Sequence, residues 1–172
     1  MAERLLHTPV FDVHGFQAQT PGGERTYYRL QAPDWVNIAP ITEDGRIVLI
    51  RQHRWGIDEE TLEIPGGMVD PGEEPVDAAV RELREETGYG GGQVRSLGWI
   101  HPNPAIQDNR CWLFVMENAR RIGETDLDEG EAIETQVVSR EELSRLVRDG
   151  TLSHALAVVT LQRLLARWPD VS

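Results

Sequence analysis

Apolar and polar positions follow strand-like runs through much of the chain and switch to helical spacing in three places. Residues 8–31 read as two strands around a turn: Thr8–Phe16, then Thr20-Pro21-Gly22-Gly23, then the aromatic-rich Thr26–Leu30. Trp35–Ile41 is a predicted strand with Val36, Ile38 and Ile41 apolar. Glu43-Asp44-Gly45 is a hairpin turn, and Arg46–Gln52 is the returning strand, whose Ile47-Val48-Leu49-Ile50 run is apolar on both faces. Thr61–Ile64, Val94–His101, Cys111–Met116 and Thr135–Val138 complete the strands, with Glu117–Glu124 a polar exit. One helix opens at Pro75 and ends before Gly88. A second follows Ser139, which makes a capping-box pattern with Glu142, runs over Arg140–Arg148 with Leu143, Leu146 and Val147 inward, and closes at Gly150. The last begins at Ser153 or His154 and reaches about Arg167, with Leu156, Val159, Leu161, Leu164 and Leu165 apolar and Pro169 as its stop. This predicts an α/β fold with an antiparallel β extension over residues 1–34. Repeats, heptads and linkers are lacking, so residues 1–172 read as one domain.

The first helix carries the chemistry. Val76, Ala79, Val80 and Leu83 form an apolar stripe, and Glu82, Glu85 and Glu86 project at i, i+3 and i+4 from a face roughly 120° away. Glu73, Glu74 and Asp77 suit the positive N-terminal end of the helix dipole, whereas the later trio opposes the dipole and repels itself. Arg81 and Arg84 offset part of that cost. Clustered carboxylate oxygens are what a hard cation such as Mg²⁺ needs, with waters left over for a phosphate. The helix alone also allows a merely solvated acidic face.

Composition narrows the choice. The formal net charge of −12 argues against a nucleic-acid partner, so an anionic substrate must be drawn in by bound cations and local arginines. All 17 basic residues are arginine, which excludes a Schiff-base lysine and a P-loop lysine. Cys111, the single cysteine, lies in an apolar run and reads as a small buried residue. No signal peptide or membrane span is evident, and the expectation is a cytoplasmic protein with no membrane partner.

Gly67, Glu73, Arg81, Glu82, Leu83, Glu85, Glu86, Gly88 and Tyr89 stand in the spacing G-x5-E-x7-R-E-U-x-E-E-x-G-U, where U is bulky and apolar. Residues 67–89 thus resemble the signature of the Nudix hydrolases, with Tyr89 aromatic where an aliphatic residue is commoner. The resemblance implies an α/β/α sandwich with a mixed β-sheet. It implies a metal-dependent hydrolase that cleaves the diphosphate of a nucleoside diphosphate sugar or ADP-ribose into a nucleoside monophosphate and a sugar phosphate. It assigns Mg²⁺ (or Mn²⁺) to Glu82, Glu85, Glu86 and the Gly67 carbonyl, where the cations neutralise the diphosphate and activate the attacking water. It makes Glu73 and Arg81 a structural pair.

Outside the signature the resemblance is looser. Gln52-His53-Arg54-Trp55 is similar to a segment of the ADP-ribose and nucleotide-sugar branch, which makes Arg54 a substrate-binding candidate. Glu63 falls beside the same site, and Trp35 or Tyr28 is a candidate to stack on the base. Pro104 stands where that branch has a proline, but within Asn103-Pro104-Ala105 and followed by Asn109-Arg110 in place of an acid, which favours a broader nucleotide-sugar range. The acidic stretch Thr125–Ile133 resembles a loop carrying the catalytic base; Glu129 is the first choice and Glu131 the second, with Glu85 counted among the catalytic groups. The resemblance to the ADP-ribose branch, where such an N-terminal sheet helps form a dimer, implies a homodimer. The alternatives are a Nudix hydrolase of nucleoside triphosphates or dinucleoside polyphosphates, and a non-catalytic nucleotide-sugar sensor.

Overall fold

The computed structural model describes residues 2–127, 130 and 132–167. The N-terminal residues form a three-stranded antiparallel sheet of β1 (Glu3–His7), β2 (Asp12–Thr20) and β3 (Gly23–Gln31). The pattern predicted two strands here. β1 is the third, and it carries no burial signal because it is exposed along its whole length. The sheet is tied to the rest of the chain through β3: Leu30 N donates to Ile106 O at 2.7 Å, and Arg29 pairs with Asp108 at 3.3 Å.

A seven-stranded mixed sheet forms the body. It contains β4 (Trp35–Thr42), β5 (Ile47–Arg54), β6 (Glu59–Glu63), β7 (Tyr89–Gly90), β8 (Gln93–Ile100), β9 (Cys111–Arg121) and β10 (Ile133–Val138). The order is β10-β5-β4-β9-β7, with β6 also on β5 and β8 also on β9. β4 and β9 run parallel at the centre, and the other ladders are antiparallel. β9 continues five residues past the predicted end at Met116. Its polar half is held by backbone pairing, Ala119 opposite Thr42 and Arg121 opposite Tyr89, which side-chain polarity does not reveal.

Alternation along β4 and β9 feeds two cores. Val36, Ile38, Phe114 and Met116 pack under α1 (Pro75–Thr87), whereas Ile41, Leu113 and Val115 pack with Leu143 and Leu146 of α2 (Arg140–Arg148) and Leu161 and Leu164 of α3 (Ala155–Arg167). The result is an α/β/α sandwich, as the resemblance implied. The caps form as predicted: Ser139 Oγ accepts from Glu142 N at 3.2 Å, and Gly88, at φ +71°, closes α1 by donating to Arg84 O at 2.8 Å. Pro169 lies outside the described residues.

The predicted stripe of α1 is half buried: Ala79 and Leu83 are inside, whereas Val76 and Val80 are 40 % and 37 % exposed and Ala78, Glu86 and Thr87 are buried in their place. Two adjacent alanines let the helix lie close on β4 and β9, and that contact turns Glu86 inward. No helix of the described residues is long and apolar enough to cross a membrane.

Candidate active site

The loop Pro65–Val69 leaves β6 and runs along the start of β4. Ile38 N donates to Pro65 O, Val36 N to Gly67 O and Val69 N to Asp34 O, each at 2.9 Å. The Gly67 carbonyl therefore has one bond and keeps a second lone pair. On the other side the loop meets α1. Gly66 N donates to Glu86 Oε2 at 2.9 Å, and a Cβ at Gly67 would run into the Glu82 carboxylate. Glycine lets the backbone pass that close without displacing the carboxylate.

Arg81 fastens loop to helix. Its Nε and Nη2 grip both oxygens of Glu73 at 3.0 Å, and Nη2 also donates to Met68 O at 3.1 Å. Nη1 turns the other way, to Glu82 Oε1 at 2.8 Å and Glu85 Oε2 at 3.2 Å. The hydrogen bonds to Glu73, then those to Glu82 and Glu85, raise the Arg81 pKa beyond the usual guanidinium range, and Arg81 in turn lowers that of Glu73.

These groups border a cleft of about 550 Å³. Asp70, Glu82, Glu85, Glu86 and Asp126 set five carboxylates in its wall against the two guanidiniums of Arg54 and Arg81. Among the described residues no three His, Cys, Asp or Glu side chains converge as a metal-binding group. Arg81 bridges Glu82 and Glu85, and Glu86 accepts from Gly66. The donor chemistry still fits a hard dication. Three carboxylates from one helix line one cleft, and the Arg81 guanidinium stands in for part of the positive charge they require.

A second cavity of about 300 Å³ adjoins the cleft and shares Arg54, Gly66, Gly67 and Met68 with it. Arg54 is held by Glu63 through two parallel bonds at 2.7 and 2.6 Å, the bidentate fork that a guanidinium makes with a carboxylate. Glu63 is 0 % exposed, also accepts from the Thr61 hydroxyl, and lies 3.4 Å from His154 Nδ1. Burial pushes the Glu63 carboxyl up, but the Arg54 fork and the Thr61 hydroxyl outweigh it, leaving the group below its ordinary range. Burial, helped by the Arg54 charge and opposed by Glu63, lowers His154.

The structure gathers Arg54, Glu63, Gly67, Glu82, Glu85 and Glu86 around the cleft and puts Trp35 in the wall of the second cavity. Glu63 faces Arg54, which assigns it to holding that arginine. Pro104 sits elsewhere, in the loop joined to β3, and lines neither cavity. Tyr28 is on the N-terminal sheet and lines neither cavity. Glu129 and Glu131 lie outside the described residues; before them, Asp126 N donates to Glu85 O at 2.8 Å, and Asp126 and Leu127 line the cleft. Cys111 is buried as expected, its thiol pushed up to about 12 by burial and then by Asp34. Sequence reasoning missed His154 and Asn37, which reach the second cavity from α3's start and from β4. No local spacing signals either, because His154 and Glu63 are far apart in the chain, with 90 positions between them.

Comparison with known proteins agrees with this geometry. Residues 33–158 match the family model described as NUDIX domain. The chain is 28 % identical over 164 residues to an ADP-ribose pyrophosphatase of Bacillus subtilis (strain 168), covering 94 % of this chain and 89 % of that one. It is 33 % identical over 150 residues to the CMP-5'-(N-acetyl-N-hydroxy-3-aminopropyl)phosphonate hydrolase of Streptomyces rubellomurinus (strain ATCC 31215), covering 86 % and 72 %. A crystal structure of an ADP compounds hydrolase superposes with a TM-score of 0.85 at 25 % identity, covering 99 % of this chain and 92 % of that one.

Two predictions follow from the geometry. Gly67→Ala should displace the Glu82 carboxylate at the cleft: turnover falls on the order of 100-fold, while thermal melting shows a stability change within about 1 kcal/mol. The second concerns pH. A carboxyl whose folded pKa is depressed contributes stability above its unfolded pKa and loses it as pH falls through the folded value. The stability gap between the wild type and Glu63→Gln should be fully open at neutral pH and close in acid below the ordinary carboxylate range. Urea unfolding across that range measures it.

Proposed function

Because the chain belongs to the Nudix hydrolase family, we propose that it cleaves the diphosphate bond of ADP-ribose or another nucleoside diphosphate sugar, releasing a nucleoside monophosphate and a sugar phosphate. The observation that carries this reading is the pair of adjoining cavities. An acidic cleft suited to cations and a diphosphate shares Arg54 with a second cavity of the size of a ligand site. The names of the ADP-ribose pyrophosphatase and the ADP compounds hydrolase point the same way.

Glu82, Glu85 and Glu86, with the Gly67 carbonyl, would hold the divalent cation, which we take to be Mg²⁺ or Mn²⁺. When bound, it supplies charge neutralisation at the diphosphate and activates the attacking water. The protein's own groups do the rest. Arg54, fixed by Glu63, binds diphosphate oxygens at the junction of the cavities. Arg81 keeps the loop against α1 through Glu73. Glu129, or Glu131 after it, takes the proton from the attacking water. This choice is supported by the anchoring of Asp126 to the Glu85 backbone, which begins the acidic loop at the cleft. Trp35 is the stacking candidate within reach of the substrate. Pro104 is kept as a substrate-binding residue on its match to the ADP-ribose branch alone.

We take residues 1–172 as one domain, with 1–34 as its extension. We place the protein in the cytoplasm, which suits a lone buried Cys111. We also propose a homodimer through the N-terminal sheet, where Leu5 and Tyr28 border one surface hollow and are 50 % and 61 % exposed. Adjacent exposed apolar side chains of this kind mark contact surfaces.

Incubation with Mg²⁺ and ADP-ribose, ADP-glucose, GDP-mannose, a dinucleoside polyphosphate or nucleoside triphosphates, with products resolved by chromatography, tests the reaction. Monophosphate plus sugar phosphate from a diphosphate sugar is expected, with Glu85→Gln and Glu86→Gln each slowing it about 100-fold, or roughly 2.7 kcal/mol of barrier. Preference for triphosphates, or binding without turnover, would replace this reading with one of the alternatives. Light scattering tests the dimer: the wild type should have about twice the chain mass and Tyr28→Glu the mass of one chain. A wild-type monomer removes the proposal.

A further inference from the structure

The cavity beside the acidic cleft is built for more than shape. Its walls include the indole of Trp35, the aliphatic side chains of Val10 and Leu156, the buried amide of Asn37 and the imidazole of His154. His154 immediately precedes α3 and its side chain is 26 % exposed. Its Nδ1 is buried and stands 3.4 Å from Glu63 Oε2, within ion-pair reach but out of hydrogen-bond alignment.

Glu63 decides what this ring offers. Its carboxylate is ionised, because Arg54 and Thr61 hold it so. An anion beside Nδ1 disfavours a lone pair there and favours the tautomer with hydrogen on Nδ1. In the neutral ring Nε2 is then the acceptor. The ring's burial, opposed by Glu63 and aided by the Arg54 charge, lowers its pKa and so favours the neutral form. A neutral acceptor of this kind pairs with an O–H donor. It does not pair with a phosphate that has lost its protons. This moves Trp35 from the base to the sugar: its indole wall suits the C–H face of a sugar ring, and the Asn37 amide, whose Oδ1 already accepts from the Cys111 thiol at 3.6 Å, has N–H donors for further hydroxyls.

We propose that His154 is a specificity-determining residue, accepting a hydrogen bond from a hydroxyl of the sugar phosphate half of the substrate, which occupies this cavity. The assignment rests on the reading of the enzyme as a diphosphate-sugar hydrolase and adds which half lies where. Glu63 then has two roles: it fixes Arg54 for the diphosphate and orients His154 for the sugar, so recognition of both passes through one buried carboxylate.

Calorimetric titration with the two product classes tests it without turnover. Wild type, His154→Leu and His154→Gln are each titrated with ribose 5-phosphate and with AMP, in Mg²⁺ buffer, after melting curves confirm that each is folded. His154→Leu should weaken ribose 5-phosphate about tenfold, the worth of one hydrogen bond. His154→Gln, whose carbonyl oxygen also accepts, should recover most of the loss, and AMP should bind alike to all three. In turnover of ADP-ribose the loss should fall on KM. Unchanged ribose 5-phosphate affinity in His154→Leu overturns the proposal. So does a loss confined to AMP, which would give the cavity to the nucleotide half. Product analysis of the wild type reports separately on the reaction itself: a triphosphate-cleaving enzyme contradicts the function reading whatever the titrations show.

Discussion

Arg81 is the constraint on which the site depends. Three glutamates at i, i+3 and i+4 near the negative end of a helix repel one another, and the surrounding chain is itself strongly acidic. One guanidinium relieves this by splitting its donors. Nε and Nη2 grip Glu73 and the Met68 carbonyl, which holds the loop, while Nη1 neutralises Glu82 and Glu85. The division matters for function. In the proposed reading, a dication taking over Glu82 and Glu85 would displace only the Nη1 contacts, and the grip on Glu73 would still fix the loop. The site would then exchange an internal cation for an external one without losing its frame.

The two faces of the sheet supply the two halves of the site. From the face under α1 come the carboxylates, turned toward the loop by the close Ala78-Ala79 contact. From the other face come Trp35 and, through the start of α3, His154. β5 and β6 join them, because the Arg54–Glu63 fork stands where both cavities meet. A buried carboxylate is costly to desolvate, and here the cost is offset by a bidentate partner and a hydroxyl. Such an arrangement fixes direction better than it adds stability, which suits the substrate-binding role proposed for Arg54.

Much of this was legible in the chain. Helix limits were, because Pro75, Gly88 and Ser139 act through their own backbones and near neighbours. The acidic trio was, because its spacing is local. The facing of α1 was legible only in part: Ala79 and Leu83 are buried as their spacing implies, but packing on the sheet turns in the smaller Ala78 in place of Val76 and Val80. β1 escaped because an exposed strand has no apolar alternation, and the second half of β9 because its partners are distant backbones. Glu63 was placed beside the site, but its partnership with His154 comes from the approach of α3 to β6, which only the folded chain makes. Pro104 has its role by resemblance alone, because its loop is bonded to β3 and lines neither cavity.

The central claim is that Glu82, Glu85 and Glu86 form a dication site in which Arg81 is the displaceable occupant. Anomalous diffraction from crystals grown with Mn²⁺ tests it most directly. The account predicts manganese peaks bounded by these three carboxylates, with Arg81 Nη1 withdrawn from Glu82 and Glu85 and its other nitrogens still on Glu73. Manganese bound elsewhere, or Arg81 still bridging Glu82 and Glu85 at saturating Mn²⁺, would contradict it.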